Sequence, residues 1–148
     1  MATGANPEGP MFDRYSEDAK RALFFARYAI VERGGDAIEP EHLVLGILRA
    51  SPHAIIRFVA TDDAARVIED TIIKTLSGPV LPGSHEIRFS TRTIHALERA
   101  QTEADDLGNR TIGPEHLLLG VLVKTSGTAA EVLTSVGVKI PAIRGFLQ

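Results

Sequence analysis

The sequence predicts an all-helical (all-α) protein built as a pseudo-twofold tandem repeat of two four-helix units. Three observations carry that prediction. Sliding the chain against itself by 74 positions aligns residues 14–48 with 88–122 and gives 14 identities in 35 positions. Unrelated segments would share roughly two on ordinary residue frequencies. Apolar residues recur at helical spacing in both halves, and prolines and glycines sit where helices would start and stop. With no Trp, two Tyr and six Phe in a chain that is 44% hydrophobic, the core must come mainly from Leu, Ile, Val and Ala, which suits helix packing.

The elements follow in order. The first ten residues, MATGANPEGP, are small, polar and rich in Pro and Gly, and are expected to form a flexible tail. The first repeat covers about 11–77. Ser16 reads as an N-cap for a helix whose core positions are Ala19, Ala22, Leu23, Ala26 and Ile30. The glycines of ERGGD (32–36) end it. Pro40 then opens a second helix at its first position, where a missing N–H costs nothing. Leu43, Leu45, Ile47 and Leu48 make that helix apolar almost all round, so it should be buried. SPH (51–53) breaks it, and a short helix at 54–60 and a longer one at 63–77 complete the unit. A linker at about 78–87 holds further Gly and Pro signals, although HEIRF (85–89) could be extended. The second repeat, 88–148, restates the plan. Ser90 caps a helix that Gly108 stops, Pro114 opens the next, TSG (125–127) breaks it, and two helices occupy 128–135 and 139–147.

Several function classes lose their support. The chain has no cysteine, which removes disulfide scaffolds, thiol catalysis and Cys-based zinc sites and is compatible with a reducing cytoplasm. A formal net charge of −3 offers no global basic field for nucleic acid. No run of 18 apolar residues could span a membrane. P-loop, GxGxxG, HExxH and GxSxG patterns are missing, so neither ATP hydrolysis nor another catalytic activity is indicated, and no cofactor or metal is expected. His42 and His116 stand in separate repeats and are expected to bond backbone or a neighbouring helix rather than share a metal. The Asp-Asp pairs at 62–63 and 105–106 read as solvated surface. Glu41 and His42, like Glu115 and His116, are expected at the exposed end of their helices.

Taken together, MFDRYSEDAKRALFFARYAI with IEPEHLVLGIL, and IRFSTRTIHALERAQTEADDLG with IGPEHLLLGVL, resemble the double Clp-N repeat. That is the amino-terminal domain of Clp/Hsp100 AAA+ unfoldases, with the ClpC branch nearest in pattern. The resemblance covers about residues 11–148. It implies a non-catalytic module that receives substrates and adaptors above an ATP-driven hexamer. The ATPase modules are not in this chain, so it is either an excised domain or a stand-alone regulator that docks on the Clp protease core or titrates its adaptors. The resemblance also implies protein partners (adaptors, substrates, or Clp ATPase and protease subunits), a cytoplasmic setting, and a monomer in isolation. Two departures stand out. Pro replaces the family's usual Thr before Glu-His in both copies, and ATDD (60–63) replaces a Leu-Gly pair that the second copy retains as SVGV (135–138).

Some ClpC members bind phosphoarginine through this domain. The positions the resemblance carries over are Glu41 and Ser16 in the first copy and Glu115 and Ser90 in the second, with Arg14 and Arg88 two residues before the serines. A carboxylate can hold a guanidinium, while Arg and a helix N-terminus can hold a phosphate. Each copy is thus expected to assemble one Arg-Ser-Glu set. The competing structural expectation makes the serines N-caps, makes the glutamates favourable charges in a first helical turn, and pairs Arg14 and Arg88 with those glutamates.

Overall fold

Ser16 and Ser90 do begin the long helices of the two halves. In a computed structural model that describes residues 10–76 and 87–148, Ser16 caps α1 (Glu17–Arg33), its Oγ accepting from the Ala19 amide at 3.1 Å. Pro40 opens α2 (Pro40–Ala50), followed by α3 (His53–Ile56) and α4 (Ala64–Thr75). Ser90 caps α5 (Thr91–Leu107) through the Thr93 amide at 3.2 Å. Pro114 opens α6 (Pro114–Lys124), and α7 (Thr128–Ser135) and α8 (Ile140–Leu147) finish the second half. The described residues hold these eight α-helices and one 3-10 turn at Pro10–Phe12. Residues 1–9 of the expected tail, Ser77, and residues 78–86 of the expected linker lie outside the described residues.

Two elements differ from expectation. The helix expected over 54–60 is only His53–Ile56, because the Ala60 amide turns away to donate to Val136 O at 2.8 Å in the other repeat. The end of HEIRF is extended: Ile38 and Phe89 form a parallel bridge, and Tyr15 and Ile112 form its counterpart.

Those two bridges explain how the halves join. The residue before the cap of each first helix pairs with the residue before the cap of the second helix of the opposite repeat. Ser16 N donates to Ile112 O (3.0 Å) and Ile112 N to Arg14 O (2.8 Å). The other pair runs from Ser90 N to Ile38 O (3.0 Å) and from Ile38 N to Arg88 O (2.7 Å). The start of the first helix of one repeat therefore lies beside the start of the second helix of the other, twice over, at what we call the two seams. One core runs beneath both. Phe12 meets Tyr15 and Phe89 edge to face, with centroids 5.0 and 6.0 Å apart, and Leu23, Ile47, Leu97 and Leu118 are buried around them.

Within each repeat the first two helices cross closely at a glycine. A Cβ on Gly46 would overlap the carbonyl oxygen of Ala22 and approach Ala26 N to 2.8 Å. A Cβ on Gly120 would overlap the oxygen of Ala96 and lie 2.9 Å from its carbonyl carbon. The small residues of α1 and α5 and the glycines of α2 and α6 let the backbones touch, which fixes where the second helices begin.

Candidate functional site

The start of each second helix is built by three residues with separate tasks. Proline takes the first helical position. The histidine two residues later turns back onto its own cap: His42 Nδ1 accepts from Glu39 N at 3.0 Å, and His116 Nδ1 accepts from Gly113 N at 2.9 Å. Since Nδ1 accepts, Nε2 carries the proton. It donates to Gly34 O (3.1 Å) in the first repeat and to Asn109 Oδ1 (2.8 Å) in the second. Each imidazole thus clips a helix start to the end of the preceding helix. Both are buried rather than exposed as expected, His42 against the Gly34–Gly35 turn and His116 against Asn109, and so is Glu41 at 7% exposure, against Ala129 and Arg92 across the seam.

Burial pushes the pKa of His42 and of His116 below the usual value of 6.5, and for His116 the Arg14 charge adds to the effect. The unfolded chain then binds these protons more readily than the folded one, so stability must rise with pH across that interval. Folding stability is expected to be fully present above about pH 6.5 and to decline as pH falls through 6.5 toward the lowered folded values. Urea titrations at a series of pH values check this, and replacing both histidines by glutamine should flatten the slope.

The glutamates reach across the seams. Glu41 Oε2 accepts from Ala129 N at 3.0 Å, in the first turn of α7. It supplies the cap that Gly127 cannot, since Gly127 has no side chain. That glycine has φ +114°, and a Cβ on it would come within 2.9 Å of Arg92. The Arg92 guanidinium lies 3.7 Å from Glu41 and 3.3 Å from Glu39, and donates to Ser126 O at 2.6 Å. A cavity of about 490 Å³ opens here, bordered by Glu39, Glu41, Arg92 and Ser126. At the other seam Glu115 is looser. Arg57 stands 4.0 Å away with its guanidinium stacked on Phe146, and the Glu115 side chain is 15% exposed. A Cβ on Gly113 would touch both Glu115 Oε1 (3.2 Å) and Ser16 Oγ (3.9 Å), which puts this carboxylate beside the start of α1.

This geometry corrects two expectations. The Arg-Ser-Glu sets are not assembled within one repeat: Ser16 neighbours Glu115, and Ser90 sits on the seam that carries Glu41. Nor do Arg14 and Arg88 pair with the glutamates. Arg14 clamps the end of α5, donating to Asp105 (2.8 Å), Asn109 O (2.9 Å) and Arg110 O (3.0 Å), so one member of the 105–106 pair is an anchor rather than plain surface. Arg88 is exposed and has no ion pair among the described residues. The residues that do meet the glutamates, Arg92 and Arg57, were missed. Arg92 occupies the position that Asp18 holds in the first copy, and that reversal of charge was the available signal.

Comparison with known proteins agrees with the all-helical fold. Residues 88–148 match the Clp repeat (R) N-terminal domain family. The second half of the chain thus carries a Clp repeat, and most of the chain is similar to the N-terminal regions of Clp/Hsp100 proteins. It is 33% identical over 138 residues to the chloroplastic chaperone protein ClpC of Pisum sativum, covering 90% of this chain and 15% of that protein. It is 28% identical over 134 residues to the negative regulator of genetic competence ClpC/MecB of Bacillus subtilis, covering 90% and 16%. The chain therefore spans about one sixth of the length of these relatives. Its fold is similar to the N-terminal domain of the caseinolytic protease associated chaperone ClpD from Arabidopsis thaliana, with a TM-score of 0.69 at 22% identity, covering 95% of this chain and 96% of that one.

Proposed function

We propose that this domain is a non-catalytic recognition module of a Clp-type unfoldase–protease system, and that it takes arginine-phosphorylated protein segments at its seams. The observation that carries this reading is that each seam sets a carboxylate from one repeat beside a serine-capped helix start of the other. A phosphoguanidinium has a cationic end for the carboxylate and a dianionic end for a second group. At the Glu115 seam, Arg57 is held by its Nε–H bond to His53 O (2.9 Å) and by stacking on Phe146, and it keeps a cationic group 4.0 Å from the carboxylate for the phosphate. At the Glu41 seam the amide of Ala129 and the guanidinium of Arg92 already engage the carboxylate. The Glu115 seam is therefore the stronger of the two. The partners are substrates or adaptors of the unfoldase, met in the cytoplasm.

A pull-down with the immobilised domain tests the module itself. Recovery of arginine-phosphorylated protein, reduced by phosphatase treatment of the lysate and by Glu115→Gln, is the expected result. Recovery of no Clp subunit, adaptor or phosphorylated protein contradicts the reading.

A further inference from the structure

The two repeats share one fold, so each serves as a control for the other, and one face of the first repeat departs from its counterpart. On α1, Phe24, Tyr28 and Val31 form a ridge that is 53%, 43% and 43% exposed. The matching positions on α5 are Glu98, Thr102 and Asp105. The fold therefore does not need an apolar ridge there. The next ridge round the helix differs in the opposite sense. In the second repeat Arg99 and Arg144 close on Glu103, with N···O distances of 2.7–3.0 Å, and tie α5 to α8. In the first repeat Phe25 and Ala29 stand in the places of Arg99 and Glu103. What remains is a groove of about 450 Å³, lined by Phe25, Leu45, Leu48 and Ile73 together with charged side chains that include Glu32 and Arg66. Arg49 roofs one side, 4.4 Å from the Phe25 ring centroid and 5.4 Å from that of Tyr28.

We propose that this face binds a second copy of the same chain, with α1 packed antiparallel to its partner α1. An interface with two-fold symmetry must be complementary to itself, and this one carries an exposed aromatic ridge beside a groove of mixed apolar and charged lining. One charged pair obeys the same symmetry. Lys20 and Glu32, the latter 4.0 Å from Arg49, lie equally far, about 9 Å along the axis, on either side of residue 26, as Phe24 and Tyr28 do at about 3 Å. A two-fold axis at that level sets Phe24 against Tyr28 of the other copy and Lys20 against its Glu32. The chain is then a weak dimer, not the monomer that the family resemblance implies. A different protein seated on this face is the main competing occupant, and it would have no reason to match this symmetry.

Sedimentation equilibrium of the whole chain decides the matter. The expected result is a weight-average mass that climbs with concentration from 16.0 kDa toward twice that value. Phe24→Glu should hold the mass at 16.0 kDa with unchanged helical circular dichroism, since that side chain is exposed. Lys20→Glu alone should weaken association, and Lys20→Glu with Glu32→Lys should restore it. A mass of 16.0 kDa at every concentration up to about 1 mM overturns the proposal and leaves the face to another protein. Association that survives Phe24→Glu, or that the double charge reversal fails to restore, also overturns it.

Discussion

Replacing Gly46 by alanine is expected to destabilise the domain by about 2–3 kcal/mol, although alanine is the better helix former by about 1 kcal/mol. The new methyl would meet the Ala22 carbonyl, a piece of the neighbouring backbone that cannot move aside as a flexible side chain could. The helices α1 and α2 would have to separate, and the start of α2, with Glu41 and His42, would shift with them. Gly120→Ala is expected to cost a similar amount through the Ala96 carbonyl. The two effects should add, because the crossings lie in different repeats and share no partner. Gly145→Ala supplies the control. A Cβ there meets nothing within 4 Å, so this change should leave stability unaltered or raise it by up to about 1 kcal/mol. Urea unfolding of the unmutated protein, the three single variants and the Gly46→Ala/Gly120→Ala double variant measures all of this, and a neutral Gly46→Ala would contradict the close crossing.

The second large effect belongs to Glu103. This side chain is 3% exposed, yet it accepts four bonds from two arginines, Arg99 on its own helix and Arg144 on α8. Glu103→Ala should cost about 2–3 kcal/mol. Breaking a buried ion pair typically costs about 3–5 kcal/mol, but both arginines are partly exposed and can rehydrate, which lowers the figure. The hydrogen bond from Arg144, together with that from Arg99, holds the Glu103 carboxyl below the usual 4.5. Its contribution is therefore present in full above about pH 4.5 and is lost as pH falls further toward the lowered folded value. Glu103→Gln should remove that part of the acid dependence. Because Glu103 tethers α8 to α5, amide exchange in α8 should accelerate more than in α1.

What was legible in the chain was local. Serine before a helix, proline at its first position and glycine within an apolar run each act over a few residues, and each was found where the sequence put it. The duplication was legible because both copies keep these signals in step. What was not legible was the contact between copies. Nothing local says that Ile38 pairs with Phe89 or Tyr15 with Ile112, and so the sets built from Arg14, Ser16 and Glu41, or from Arg88, Ser90 and Glu115, joined residues that the fold separates. The fold gives Glu41 to Arg92 and Ala129, and it gives Arg14 to the end of α5. Charge differences between matched positions were the useful hint. Asp18 against Arg92 marks one seam, and Ala29 against Glu103 marks a buried ion cluster on a ridge otherwise made of alanines.

The seams also explain why Pro-Glu-His occurs twice. Proline and histidine build the start of a buried helix, and the glutamate between them extends to the opposite repeat. At Glu41 that reach is consumed by α7 and Arg92. At Glu115 the partner is 4.0 Å away, which leaves a carboxylate able to exchange its arginine for another.

Calorimetric titration of the domain with free phosphoarginine tests this most directly. Saturable binding that is abolished by Glu115→Gln, weakened less by Glu41→Gln, and not reproduced by unmodified arginine is the predicted result. The absence of heat with the unmutated protein, or binding that survives both substitutions together, would contradict the assignment of the seams as the recognition site.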